Sequence, residues 1–534
     1  MIKIKNRDNL CFEGMDPWEN TLSAKKLSLL QKSWAAVFRN HILPMMPLRQ
    51  VASHFDKDLG RPTKELASTC GACVLQQIFD LTDAETIDQL AFNQQWHYAL
   101  DVLNQDDQVL SLKTLWSMRH ILTTDKLAKP IFIDATDRLK EVYQVDTKLQ
   151  RLDSVHIHSN MARLGRVRLL ARVCTKFLIN LKRQDKVLHE SVSSSVKSRY
   201  HKEQDPDYFG NPKPSESEKR LRDIAQDMYE LLEQFKSHKL ISSLYSYKEL
   251  ARVFSEHCAI EDEQVVVKPN KEVPPDSLQN PSDPDATYDS HKGQGYQVQI
   301  MESYSCKTSE DDDSASLQLI TYVDVEPAHC HDSKALVPAL EEAERRHVLP
   351  KELQADTHYG NRDNKKKAKE HGVDLIAPLP GKPPKNNLAD FEFDPKTHVV
   401  KRCPEGHAPN QIKHNKKDTI TAIWPKAACG TCALFSSCAV KEAQNGYRLL
   451  YNHNQAQAAL QRRYQQSEEF KQKYRYRAGI EATNSRYIHM TGARRMRYRG
   501  LKCIDYAARI KALGINMFRT AKYLAIPTPN PRYA

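Results

Sequence analysis

Within the stretch Leu353–Arg362, LQADTHYGNR, Asp356 stands where a short apolar run gives way to the turn residues Thr357–Asn361. A carboxylate at the carboxyl end of a strand sits where open α/β sheets usually hold their ligands and chemistry. Alone it is equally a turn former or a helix cap, so its partners decide. Tyr474, Arg477 and Glu481 are spaced by three and four residues and share one face of an expected long helix. Two more acids stand in strand candidates: Asp134 closes Pro130–Asp134, and Asp153 lies inside Leu149–His158. Carboxylates remote in sequence that meet in space suit a hard divalent cation shared with phosphate oxygens.

These acids need a sheet and a packed helix to bring them together. Leu149–His158 alternates apolar and polar residues as a half-buried strand does, and Lys292–Ile300 and Leu317–Val325 repeat that pattern. An amphipathic helix over Asp332–His347 leads into the Asp356 strand, followed by a Lys-rich helix over Asn364–His371 and a buried strand over Val373–Ala377. Before them, Leu22–Thr124 is helical, with a capped start at Thr82–Glu85. Val167–Leu181 and Leu221–Cys258 also read as helix, whereas 190–218 is rich in Ser, Pro and charge and reads as a connector. The acidic run 310–313 reads as a solvated hairpin tip.

Two further clusters carry chemistry. From Asn484 to Lys522 ten Lys or Arg residues face one acid, Asp505. Arg486, Arg494, Arg495, Arg497, Arg499 and Lys502 among them form a candidate track for a phosphate backbone; a solvated helix face is the plainer alternative. Cys403, His407, Cys429, Cys432 and Cys438 supply the ligand types of a tetrahedral zinc site, set against the alternative of reduced thiols. Cys70 and Cys73 form a second CxxC, but on an apolar helix, where core packing is the expectation.

Composition bounds the class. The 534 residues carry 79 Lys plus Arg against 67 Asp plus Glu, a net charge of +12, which favours a polyanionic partner. No secretory signal and no bilayer-spanning apolar run is evident, and the twelve cysteines are mostly scattered. The expectation is a cytoplasmic protein with no membrane association.

The ordered text LQRLDSVHIHSNM, KGQGYQVQ, TYVDVEPAHCHDSKAL, LQADTHYGN, Tyr474–Arg477–Glu481 and RMRYRGLKC resembles the DDE transposases of bacterial insertion sequences, in the branch with a Tyr-Arg-Glu signature. The resemblance implies Asp153, rather than Asp134 or Asp137, with Asp356 and Glu481 as the catalytic, metal-binding acids. It also implies an RNase H-like mixed sheet flanked by helices, with an all-helical N-terminal domain and a small Cys-containing insertion. The family's signature continues to a Lys seven residues past the Glu, where this chain has Ile488, with Arg486 and His489 nearby.

Mg²⁺, or Mn²⁺ in its place, is the implied cofactor, because two such ions about 3.5–4 Å apart clamp the attacking and leaving oxygens of an in-line displacement. Water cuts DNA at the element's end and the freed 3′-hydroxyl attacks a second phosphodiester, with Tyr474 and Arg477 holding phosphate. The partners implied are double-stranded DNA at element ends and target, and a second copy of the chain in a dimer or larger synaptic complex in the bacterial cytoplasm, at the nucleoid. The expected organisation is a helical domain over 1–130, a catalytic core over 131–381 with an excursion at about 163–285, an insertion over 382–450 and a helical part over 451–534. Two alternatives stay open: a DNA-binding relic without catalysis, and a metal-dependent nuclease without strand transfer.

Overall fold

The computed structural model describes residues 2–5, 16–200, 214–306, 316–381, 388–415 and 418–525. The acidic run 310–313, the insertion's first residues 382–387 and the connector residues 201–213 lie outside these.

A mixed sheet positions the site. Its strands are β1 (Leu149–His158), β2 (Thr287–Asp289), β3 (Gly293–Ser303), β4 (Ile320–Pro327), β5 (Glu352–Ala355) and β6 (Asp374–Ile376). β1 lies between β3, which is antiparallel to it, and β5, which is parallel; β6 continues the parallel part beyond β5, while β2 and β4 pair antiparallel with β3. Parallel neighbours need crossovers, and helices Leu336–Arg345 and Arg362–Glu370 lead into β5 and β6.

Because successive residues of a strand face opposite sides, the sheet feeds two cores. Leu152, Met301 and Tyr322 pack with Leu336 and Leu340 on one side. Val155, Ile157, Val298, Ile300 and Val323 on the other join the N-terminal helices and the last helix, Leu501–Ala525, in a single cluster. The N-terminal helices include Leu66–Ile78, which buries Cys70 and Cys73, and Asp83–Phe92, which starts with a Thr82–Glu85 capping box.

The strand expected over Pro130–Asp134 is instead part of a helix, Ala128–Val142. Ile131, Phe132, Ala135, Thr136 and Leu139 are buried at helical spacing, and Pro130 sits in the first turn, where its missing N–H is no loss. The excursion folds around its own core, in which Leu170, Phe177, Leu231 and Leu250 are buried among helices Arg166–Gln184, Pro214–Phe235 and Tyr245–His257. The stretch read as a connector accordingly contains helix Ser194–Arg199 and the start of Pro214–Phe235. The Cys-containing insertion carries a four-stranded antiparallel sheet of Gln411–Asn415, Thr419–Trp424, Lys441–Ala443 and Gly446–Asn452. Its burial of Ile420, Ala422 and Trp424 at alternate positions explains the absence of a helical period.

Candidate active site

Asp153 lies in the middle of β1, opposite Ile300, and is 9% exposed. Asp356 follows β5 directly; its Oδ1 accepts the His358 N–H at 2.8 Å and caps the turn Thr357–Tyr359. At Gly360 the chain passes so close to the next loop that a Cβ would stand 1.8 Å from the Pro378 carbonyl oxygen, which ties the turn after Asp356 to the residues beyond β6.

Tyr474, Arg477 and Glu481 do not lie on one continuous helix. Helix Glu468–Tyr474 gives way to a 3₁₀ turn, Arg475–Ala478, and helix Gly479–Met490 follows. The break is built around Arg151 of β1, whose Nη1 donates to the Tyr476 carbonyl at 2.7 Å. A Cβ at Gly479 would stand 1.9 Å from that same nitrogen, so a side chain there would push the Arg151 guanidinium off the Tyr476 carbonyl.

Arg477 joins two of the acids, donating from Nη2 to Asp153 Oδ2 at 3.2 Å and from Nη1 to Glu481 Oε1 at 2.7 Å. Asn484, one turn further on, donates to the same Asp153 oxygen at 3.1 Å. Burial pushes the Asp153 carboxyl up to about 6, with Arg477 opposing and Asp356 and Asp332 adding to the rise. Burial also raises the Tyr474 hydroxyl, which feels Arg477 and all three acids. The side chains of Asp153, Asp356, Glu481, Tyr474 and Arg477 therefore share one electrostatic neighbourhood at the end of the sheet.

A divalent cation suits the donor types here, since several carboxylates crowd a partly desolvated place and a cation relieves their repulsion. Among the described residues, however, no three His, Cys, Asp or Glu side chains converge closely enough to hold an ion. Glu481, whose side chain is 64% exposed, points to Arg477, and one Asp356 oxygen is taken by its own turn.

Several residues that sequence spacing did not single out hold this arrangement. Glu302 of β3, 0% exposed, accepts Arg151 Nε at 2.7 Å, Thr483 Oγ1 at 2.7 Å and Arg519 Nη1 at 2.8 Å, and so fastens the Glu481 helix to the sheet. Asn484 was within reach of sequence analysis, being three residues past Glu481 on the same face. Asp332 and Gln299 stand within the family-like text TYVDVEPAHCHDSKAL and KGQGYQVQ, but their spacing gives them no role.

The basic track divides. Arg486, Arg494, Arg495, Arg497, Arg499 and Lys502 are exposed. Arg497 approaches Asp80 at 3.8 Å, and Arg499 donates to Asn160 at 3.1 Å. Arg509, Lys511 and Arg519 leave the surface: Arg509 is paired with Asp324 and Asp505, Lys511 with Asp80, and Arg519 with Glu302. Ile488, at the position of the family's Lys, packs against the large core.

In the insertion Cys403, Cys429, Cys432 and Cys438 line one small apolar cavity, and His407 is not part of its wall. The His407 backbone oxygen instead accepts from Cys403 N–H and Trp424 Nε1, each at 2.9 Å. Burial and the neighbouring thiols push Cys429 up to about 11.

No helix among the described residues is long and apolar enough to cross a membrane. Comparison with curated proteins and with solved structures finds no match. Two protein families do match: the Transposase DDE domain over residues 402–521, spanning the insertion and the Glu481 helix, and the Transposase domain (DUF772) over residues 29–120, in the N-terminal helices. These two transposase regions, in order along the chain, support a DDE transposase of an insertion sequence.

Proposed function

We propose that the protein cuts DNA at the ends of its element and joins the freed 3′-hydroxyls to target DNA, using Asp153, Asp356 and Glu481 as metal-holding carboxylates. The observation that carries this reading is the meeting of Asp153 and Glu481 on Arg477, within the field of Asp356, from positions more than a hundred residues apart in sequence. Asp153, Asp356 and Glu481 would hold Mg²⁺ or Mn²⁺ once Glu481 is free of Arg477, and such an ion would supply activation of the attacking oxygen and stabilisation of the leaving one. Arg477 and Tyr474 then turn to the scissile phosphate, for which a guanidinium is well shaped. Asn484 keeps hold of Asp153 meanwhile. The exposed Arg486, Arg494, Arg495, Arg497, Arg499 and Lys502 track the duplex backbone, and a second copy of the chain pairs the two ends.

Cleavage of a labelled duplex carrying the element's ends, in Mg²⁺ or Mn²⁺, tests this reading; cutting at the ends that each single acid substitution abolishes supports it. One observation favours a binding-only relic: Ile488, partly buried, packs against the large core where the signature has a phosphate-seeking Lys. End binding that never leads to cutting by the intact, folded protein would select that reading.

The cysteines around the insertion's cavity we read as a zinc staple of Cys403, Cys429, Cys432 and Cys438. The cavity they share supports it, although no three of these side chains stand as a ready-made ion site among the described residues, so a bound ion would have to draw the thiols together; a metal would then stabilise a unit with a small core. His407 falls outside this set.

A further inference from the structure

Gln299 is a fully buried amide in the middle of β3, where the register sets it opposite Ser154, the neighbour of Asp153, and opposite Asp324 of β4. Its two ends face different chemistry. Oε1 accepts the hydroxyl of Tyr359, three residues beyond Asp356. Nε2 faces two carboxylates, Asp332 Oδ1 at 3.3 Å and Glu326 Oε2 at 3.4 Å. Flipping the amide would set its oxygen against those carboxylates and its NH₂ against a hydroxyl proton, so Asp332 and Glu326 fix which way it points.

The turn that contains Asp356 is thereby tied to the strand beside Asp153. Tyr359 N–H donates to the Asp356 carbonyl at 3.2 Å. Asn364 Nδ2 bridges the Tyr359 carbonyl at 3.1 Å and the Ser333 carbonyl at 2.8 Å, and the rings of His331 and His358 meet with centroids 5.6 Å apart. The Asp332 turn and the Asp356 turn are thus stapled to each other at three places, and Gln299 is the one that reaches back into the sheet. Lys292 completes the surroundings, 3.8 Å from Asp332 and 3.5 Å from Ser154 Oγ.

We infer that Gln299 is a positioning residue for Asp356, acting through the Tyr359 hydroxyl, and that Asp332 serves to orient the Gln299 amide. This rests on the proposed three-acid site; Gln299, Asp332 and Tyr359 lie in the family-like text KGQGYQVQ, TYVDVEPAHCHDSKAL and LQADTHYGN, outside the Tyr-Arg-Glu signature and the matched regions, and the inference gives them a role. A metal site is sensitive to shifts of about half an ångström in its ligands, so loosening this chain weakens ion binding before it unfolds the protein.

An inverted pair tests the inference. In Gln299→Glu, one carboxylate oxygen still accepts from Tyr359 but the other faces Asp332, and the staple opens. Combining it with Asp332→Asn supplies an amide donor in place of the nearer of the two carboxylates and restores that bond, the one to the Asp332 turn, with its polarity reversed, while Glu326 stays as it is. Mn²⁺ binding to the full chain is measured by calorimetry, without reliance on turnover, beside melting temperature and Asp153→Asn as reference. The expected result is at least a tenfold weaker Mn²⁺ dissociation constant for Gln299→Glu, recovery to within about threefold of the parent in the double variant, and near-complete loss in Asp153→Asn.

Loss of binding in Asp153→Asn with parent-like binding in Gln299→Glu overturns the inference and leaves the three-acid site standing. A double variant no better than Gln299→Glu also overturns it. Unchanged binding in Asp153→Asn overturns the site itself. If Gln299→Glu melts far below the parent, Tyr359→Phe, which removes only the hydroxyl, replaces it, and parent-like Mn²⁺ binding in that variant likewise overturns the inference.

Discussion

Arg477 donates to Asp153 Oδ2 at 3.2 Å, joining helical text near the end of the chain to a buried acid in the first strand of the sheet. The guanidinium is the only cation whose ion pair with Asp153 is seen among the described residues. Removing it leaves a carboxylate facing burial and other acids alone. Arg477→Ala is expected to lower stability by about 2–3 kcal/mol at pH 8. Because Arg477 opposes the upward shift of Asp153, the carboxyl of the variant titrates still higher, and folding is relieved once it is protonated. The deficit should therefore shrink as pH falls from 8 toward about 6 and be largely gone below that. Thermal melts of both proteins at pH 8 and pH 5 check this, and a pH-independent deficit would speak against it.

Glu302 governs the placement of the Glu481 helix. Its carboxylate serves Arg151, Arg519 and Thr483 at once with no exposed surface. Glu302→Leu leaves two guanidiniums without their acid and is expected to cost about 3–5 kcal/mol, visible as a lower denaturant midpoint. Glu302→Gln keeps the shape and should cost less while still lowering DNA cutting, because it loosens the seat of Thr483 two residues from Glu481.

The excursion carries a separate acid sensitivity. His257 is buried, and its side chain is held at about 4 against the ordinary 6.5, through burial and the nearby Arg166 and Lys268. It folds neutral, whereas the unfolded chain takes up a proton below about 6.5, so its contribution is full above that pH and is lost as pH falls toward 4. His257→Phe is expected to flatten the fall in melting temperature between pH 6.5 and 4, an effect of up to about 3 kcal/mol. An unchanged pH profile would count against a neutral buried imidazole.

Zinc, if it staples the insertion, should be measurable in the purified protein. Elemental analysis is expected to return one zinc per chain in the parent and none in Cys429→Ser, with His407→Ala unchanged. Equal loss in His407→Ala would restore the histidine to the ligand set.

Much of this arrangement was legible in the sequence, for physical reasons that differ by element. Leu149–His158 showed itself through its second half, where Val155 and Ile157 are buried and Ser154, His156 and His158 are half-buried at a period of two; its first half is buried on both faces. Pro130–Asp134 misled because three bulky apolar residues in a row look the same in a strand and in a buried helix; only the longer spacing to Ala135 and Leu139 separates them. Glu481 and Arg477 were visible together because helical neighbours are local in sequence. Gln299, Glu302 and Asp332 were not, since their partners lie in other strands and turns; Gln299 and Asp332 stand inside the family-like text KGQGYQVQ and TYVDVEPAHCHDSKAL, but nothing there gives them a role. The basic run after Asn484 overstated the surface charge, because Arg509, Lys511 and Arg519 pair with Asp324, Asp80 and Glu302, acids brought from elsewhere in the chain.

The measurement that bears most directly on the three-carboxylate site is cutting of a labelled duplex carrying the element's ends by the parent protein and by Asp153→Ala, Asp356→Ala and Glu481→Ala, with end binding followed in parallel. The account predicts metal-dependent cutting at the ends by the parent, a loss of at least a thousandfold in each variant, and end binding retained in all. Cutting that persists in any one of the three variants, or that proceeds undiminished without a divalent metal, would contradict it.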